Sequence, residues 1–261
     1  MPATRSRTQL RARSQGPTLR ELAVQALSSV EHGYDLLAPK FDHTSYRTPD
    51  AVLDATARAL KGLGPFANGL DLCCGTGAGT RVLREVCADE TVGVDFSAGM
   101  LAEAAASGPD GRERPDGGER PALSWVRGDA HALPFGRGVF DLAVSFGAHG
   151  HFLPEERPRL FAQVRGVLRP GGLFAFPLAA PPRPGTRAYW SLLGFDSAMR
   201  VRNAVWRPPF VMYYRTWPLA DVRRELRAAG FGVTLHPLPE LGLRPDGSPR
   251  CRLVVGTRLP D

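Results

Sequence analysis

Residues 70–80 read LDLCCGTGAGT: an apolar run, then Gly75, Gly77 and Gly79, then a helix-like stretch. Glycine lets the backbone turn sharply and approach a ligand with no side chain in the way. A helix start beyond such a loop offers free N–H groups to a negative group. The pattern suits a nucleotide-containing cofactor, although a tight strand-to-helix turn can look this way without a ligand. The third glycine falls one residue early for the GxGxxG spacing of dinucleotide enzymes. Asp95 follows Gly75 by twenty residues and closes the strand-like run 91–94. An acid there can accept hydrogen bonds from both hydroxyls of a ribose. The competing reading makes Asp95 a cap for the next helix. The ribose reading expects Asp95→Ala to lose cofactor affinity with little change in apo stability, and the cap reading expects the reverse. Asp129, in Gly128-Asp129-Ala130, falls just past a third strand-like run, where it could hold the exocyclic amine of an adenine.

His149 and His151 stand just beyond a fourth run, 140–146. Either could act as a base for an acceptor that must lose a proton, or as a packing or substrate-contact residue. Tyr213 and Tyr214 are more distant candidates. The His-x-His spacing could suggest a metal, but no acidic or cysteine partner stands nearby, so no metal is expected. Cys73 and Cys74 are adjacent in an apolar strand, and with Cys87 and Cys251 they show no metal-ligand spacing. They read as small core residues in a reducing, cytoplasmic setting.

The elements that must position these residues alternate. Strands are expected at 69–74, 91–95, 123–126, 140–146 and 173–176, with helices at 78–87, 98–107 and 155–168 between them. Such alternation implies a mostly parallel sheet with helices on both faces. Two closing strands, 231–236 and 252–256, follow a helix lined by Leu219, Val222, Leu226 and Ala229. Upstream, Leu19, Leu22, Ala23, Ala26, Leu27 and Val30 repeat at helical spacing, and a second helix opens at 48–50. Residues 34–42 form an aromatic-flanked segment broken by Pro39. The expected division is a basic, disordered tail at 1–17, a helical cap at 18–64 and a binding domain at 65–261. Residues 108–121 read as a surface loop, and 177–217, with its proline clusters, as an insertion on the substrate side. Tyr189, Trp190, Phe195, Trp206, Phe210 and Trp217 make that insertion aromatic. They could enclose an apolar or aromatic acceptor, or form only the insertion's own core.

Composition agrees with a globular chain: of 261 residues, 43% are hydrophobic and 23% charged. The net charge of +7 is concentrated, since Arg5, Arg7, Arg11, Arg13 and Arg20 lie in the first twenty residues without an acid. A nucleic-acid role needs basic charge clustered on a folded face, and none is evident. The tail's composition also suits an organelle transit peptide. No apolar stretch approaches the length of a membrane span. Nothing in the sequence indicates an oligomeric state.

The ordered motifs LDLCCGTG, VGVDFSAGML, GDAHALPF, FDLAVSFGAHGHF and VLRPGGLFAF resemble class I S-adenosylmethionine-dependent methyltransferases. Within them the chain is similar to the branch of quinone-biosynthesis and other small-molecule enzymes. The resemblance covers about residues 69–176, and more loosely ELRAAGFGVTLHPL and RLVVGTRL. It implies a Rossmann-like α/β fold, a seven-stranded, mostly parallel sheet with its last strand antiparallel. It also implies S-adenosylmethionine as cofactor and methyl transfer by in-line displacement to a small-molecule acceptor. By the resemblance, Asp71, Gly75 and Gly77 surround the methionine part and Asp95 holds the ribose. Phe96 and Met100 pack on ribose and adenine, and Asp129 and Ala130 face the adenine edge. Ser145 and Phe146 line the transfer site, and Tyr34 reaches the cofactor's charged end. Cys73 departs from the pattern, since the family usually has glycine there. Two other readings stay open: a nicotinamide-dependent oxidoreductase, and a non-catalytic protein that binds cofactor or partner but lacks a working acceptor site.

Overall fold

The computed structural model describes residues 30–44, 46–107, 121–206 and 217–260. The expected tail, the helix at 18–30 apart from Val30, most of the 108–121 loop, Phe210, Tyr213 and Tyr214 lie outside them. Seven strands form one sheet in the order β3-β2-β1-β4-β5-β7-β6. In chain order they are β1 Phe66–Leu72, β2 Cys87–Asp95, β3 Ala122–Arg127, β4 Phe140–Val144, β5 Leu168–Ala179, β6 Phe231–Pro237 and β7 Cys251–Arg258. β1 to β5 pair in parallel, while β7 runs antiparallel to both of its neighbours, β5 and β6. Only β7 therefore opposes the rest, as expected.

Strict alternation in the central strands creates two apolar faces. Leu142, Val144, Ala175, Leu253 and Val255 face one side, where α2 (Asp50–Lys61) brings Leu53, Ala57 and Leu60 and α3 (Ala78–Val86) brings Val82 and Leu83. Ala143, Phe174, Phe176 and Val254 face the other side. There α5 (Arg157–Val167) contributes Leu160, Phe161 and Val164, and α7 (Leu219–Ala228) contributes Val222 and Leu226. Each fully buried Leu or Phe contributes roughly 1.5–3 kcal/mol, so this two-sided burial holds the sheet.

The chain leaves β1 outward to β2 and β3, then crosses back to β4 on the opposite side of β1. This reversal opens a crevice beyond the carboxyl ends of β1 and β4, the place where open α/β sheets bind ligands. Two segments close over it. One is α1 (Val30–Leu37), continued by a 3-10 turn at Ala38–His43 with Pro39 in its first turn. The other is the loop after β4, which holds a 3-10 turn at Ala148–His151.

The stretch 177–217 is more regular than its prolines suggest. β5 continues to Ala179, and Arg187–Trp206 forms a 20-residue helix, α6. Pro177 is tolerated because the β4–β5 ladder stops at Val144–Ala175, while β5 goes on pairing with β7. A missing N–H on the freed edge removes no ladder bond.

Candidate active site

A cavity of about 530 Å³ occupies the crevice, within the usual size range of ligand pockets. It is lined by Tyr34, Asp71, Gly75, Asp95, Phe96, Met100, Asp129, Ala130, Phe146, His149 and His151 among the expected residues. Gly77 and Ser145 are not in its wall. Gly77 caps α3 at φ +91°, and a Cβ there would fall 2.7 Å from the Trp125 ring, so its need for glycine comes from backbone conformation and packing together. Ser145 is buried, and its amide donates to the Ala175 carbonyl at 3.3 Å.

The glycine loop is held from two sides. The Cys74 amide donates to Val94 O at 3.0 Å, and the Gly75 amide donates to Asp95 Oδ2 at 2.9 Å. Gly75 sits at φ +53°, and a Cβ there would meet nothing within 4 Å, so open space faces it. A Cβ on Gly79 would fall 2.6 Å from Asp71 Oδ1 and 2.5 Å from Phe146. Cys73 holds φ +56°, the only non-glycine at positive φ among the described residues. Its side chain packs on the core, and burial pushes its thiol and that of Cys74 well up.

Asp71 Oδ2 accepts from Thr80 Oγ1 at 2.8 Å, while Oδ1 is sealed from solvent with no partner among the described residues. Burial pushes its carboxyl up to about 7, against the opposing hydrogen bonds from Thr80. Asp95 uses its second oxygen to accept from the Ser97 amide at 2.9 Å. Burial raises it too, more than the amides of Ser97, Gly75 and Phe96 lower it. The true cap of α4 (Ala98–Ala106) is Ser97, whose hydroxyl accepts from the Met100 amide. Asp95 therefore braces loop and helix together, and the two sequence readings of it are not exclusive. Asp129 Oδ1 accepts from the His131 amide at 2.8 Å, with Ala130 buried beside it.

The cap fastens onto the loops it covers. Asp35 Oδ1 accepts from Ser97 Oγ at 2.6 Å and from the Gly99 amide at 2.8 Å, placing an anion at the α4 amino terminus. Thr76 Oγ1 donates to Asp42 Oδ1 at 2.7 Å, and Arg127 pairs with Glu31. Tyr34 Oη and His151 Nε2 are 2.7 Å apart, which joins the cap to the loop after β4. The His149 ring lies against Phe176 and Trp217, with centroids 4.4 and 4.6 Å away. Burial lowers both histidines to about 4, with the Arg157 guanidinium adding to the effect on His149.

The sequence missed several wall residues. Phe41, Tyr46, Thr48, Thr76, His131, Phe152 and Leu178 also line the cavity. Thr76, His131 and Phe152 fall inside the quoted motifs, Phe41 in the aromatic-flanked segment and Leu178 in the insertion, but no local feature singled them out, and Tyr46 and Thr48 had no signal as wall residues. Of the insertion aromatics, Trp217 lines the cavity and is buried. Tyr189 and Trp190 do not line it: they pack on each other, and Trp190 is 60% exposed. Of the two readings of the insertion's aromatics, cavity wall or the insertion's own core, Trp217 takes the first and this pair does not. Among the described residues no group of three or more His, Cys, Asp or Glu could hold a metal. No described helix is long and apolar enough to cross a membrane.

Comparison with known proteins agrees with this architecture. Residues 70–176 match the methyltransferase domain family. A demethylmenaquinone methyltransferase of Parafrankia sp. is 34% identical over 227 residues, covering 76% of this chain and 86% of the relative. An uncharacterised methyltransferase of Synechocystis sp. is 31% identical over 145 residues, 56% of this chain and 61% of the relative, so under two thirds of that protein is spanned. An S-adenosylmethionine-dependent methyltransferase from Mesorhizobium loti superposes with a TM-score of 0.51 at 25% identity, covering 79% of this chain and 100% of the other. A crevice at the sheet's reversal point, a glycine loop tied to Asp95 and these likenesses lead to one assignment: the chain belongs to the S-adenosylmethionine-dependent methyltransferase family.

Proposed function

We propose that the chain transfers a methyl group from S-adenosylmethionine to a small, apolar or aromatic acceptor held in the half of the cavity around Phe146, His149, Phe152, Leu178 and Trp217. The observation that carries this reading is the lining of one cavity: the acids and glycine expected to hold the cofactor (Asp71, Gly75, Asp95, Asp129) share it with Phe146, Phe152, Leu178 and Trp217. The residues fit the cofactor. The unpartnered Asp71 Oδ1 suits an ammonium group, and the open space before Gly75 admits a chain that a Cβ would block. When bound, S-adenosylmethionine supplies a methyl carbon on a positively charged sulfur, already activated for displacement.

In this reading Asp95 accepts the ribose hydroxyls, Phe96 and Met100 cover the nucleoside, and Asp129 with Ala130 meets the adenine edge. Asp71 and the Gly75–Gly77 turn hold the methionine portion, with Tyr34 above it. Phe146 walls the transfer point, and Ser145 supports it from behind. The protein's part in catalysis is alignment of the acceptor with the reacting carbon. A base works best with a pKa near the working pH, and at about 4 neither His149 nor His151 meets that condition. Both are neutral at pH 7 and serve as polar contacts rather than proton stores.

Calorimetric titration with S-adenosylmethionine, S-adenosylhomocysteine and NADH tests the cofactor. Binding of the first two without NADH is expected, and micromolar NADH affinity with no S-adenosylmethionine binding refutes the reading. Turnover on a panel of phenols, quinones and amines tests the acceptor. Cofactor binding with no turnover on any of them favours a non-catalytic binding protein.

A further inference from the structure

Beside Trp217 and His149 in the cavity wall lies a buried polar relay that the transfer reaction does not explain. The Arg157 guanidinium carbon stands 4.5 Å from the centre of the Trp217 ring, a cation–π arrangement. Arg157 is buried, and its Nη1 lies 3.5 Å from Glu225 Oε1 on α7. The Trp217 and His149 rings meet at an interplanar angle of 72°, and the His149 ring also meets Phe176 of β5. His149 Nε2 is sealed from solvent and has no hydrogen-bond partner among the described residues, although the ring itself lines the cavity. A neutral imidazole carries one N–H and one lone pair. The rings packed on His149 are Phe176 and Trp217, and a sealed nitrogen among such neighbours is better occupied by an N–H, which a π system weakly accepts, than by a lone pair. This favours the proton on Nε2 and the lone pair on Nδ1.

We propose that His149 Nδ1 accepts a hydrogen bond from an O–H or N–H carried by a flat acceptor ring, and that Arg157 is a positioning residue that holds this tautomer through Trp217. The proposal rests on the methyltransferase reading and adds the polar group its acceptor must carry. Among the described residues, the charged groups at His149 are Arg157 from α5 and, behind it, Glu225 from α7; His151 stands two residues on in the same turn, and Phe176 of β5 brings no charge. The buried cation opposes a second proton on the imidazole, which keeps Nδ1 free to accept. A ring that lacks a donor leaves Nδ1 buried against it without a partner, and that mismatch makes the site selective.

The test uses the full chain saturated with S-adenosylhomocysteine and three probes of nearly one shape: 1-naphthol, 1-naphthylamine and 1-methylnaphthalene. At least one donor probe is expected to bind about 3- to 10-fold more tightly than the hydrocarbon, the worth of a neutral hydrogen bond. The tighter donor identifies oxygen or nitrogen as the source. His149→Leu should bring the preference within twofold, and His149→Asn, whose amide oxygen can stand near Nδ1, should restore part of it. Long-range proton–nitrogen NMR should show the Nε2–H tautomer in the wild type. In Arg157→Met the tautomers should mix and the ring should titrate at higher pH, while Arg157→Lys, which keeps the buried cation, should retain the wild-type tautomer and titration. Equal binding of hydrocarbon and donors, no binding of any probe, or a donor preference that survives His149→Leu overturns the proposal. An unchanged His149 tautomer and titration in Arg157→Met overturns the role of Arg157. Failure of S-adenosylhomocysteine to bind the wild type would instead defeat the methyltransferase reading itself.

Discussion

Replacing Asp95 with alanine should damage two properties at once. In the apo protein its carboxylate accepts from the Gly75 and Ser97 amides, both at 2.9 Å, and is itself buried. Removing it strands two amide donors, at about 1–3 kcal/mol each, partly offset by relief of burying a charge. The expected apo cost is about 2–4 kcal/mol. Lost ribose contacts should weaken S-adenosylhomocysteine by about 2–4 kcal/mol as well, on the order of 30- to 1000-fold in dissociation constant. Asp95→Asn keeps one acceptor oxygen and should recover part of the apo loss while remaining weak for ligand. Urea unfolding gives the first quantity. Calorimetry gives the second, and ligand at about 100 times its dissociation constant should stabilise the wild type by about 2.7 kcal/mol but the alanine variant far less. Apo stability within about 0.5 kcal/mol of wild type would refute the brace, since no cap or loop would then depend on Asp95. Ligand affinity within threefold would refute the ribose role.

Other outcomes follow from the same geometry. Asp71 has its pKa raised to about 7, so between its ordinary value and 7 the folded state holds a proton that the unfolded chain has lost. Stability from this group therefore falls as pH rises, and Asp71→Asn should gain on wild type by roughly 2–3 kcal/mol between pH 5 and pH 8 in urea unfolding; a gap independent of pH contradicts the assignment. His149 and His151 act in the opposite sense: their folded values lie near 4, so the unfolded state takes up protons first and stability rises from about pH 4 to 6.5. Replacing both with asparagine should flatten that acid limb, as read from thermal unfolding across pH. Gly79→Ala forces a Cβ to 2.5 Å from Phe146 and 2.6 Å from Asp71, and should cost about 1–3 kcal/mol with loss of measurable S-adenosylhomocysteine binding. Cys73→Gly relieves a positive-φ residue but frees the unfolded chain, so stability should stay within about 1 kcal/mol, whereas Cys73→Val should be clearly destabilised.

The sequence by itself determined the order and type of the central elements. Continuous apolar runs at 140–144 and 173–176, covered on both faces, and period-3.6 burial in 157–167, covered on one, are local patterns. The loop at Gly75 and the acid at Asp95 were legible because backbone freedom and a strand-end carboxylate are properties of residue type at a place in the chain. Tertiary structure decided what distance in sequence hides. That Asp95 ties Gly75, that Tyr34 meets His151 across 117 positions, and that Gly77 is reserved for Trp125 all depend on which strands lie side by side. The fate of the aromatics in 177–217 was equally invisible. Trp217 and Trp190 are the same residue type in the same stretch, yet one is buried beside His149 and the other lies 60% exposed on α6. Local sequence states that a ring is apolar; only the packing of helices against the sheet states which ring reaches the cavity. The histidines show the same limit, since their neutrality comes from burial and from Arg157, a neighbour supplied by the fold.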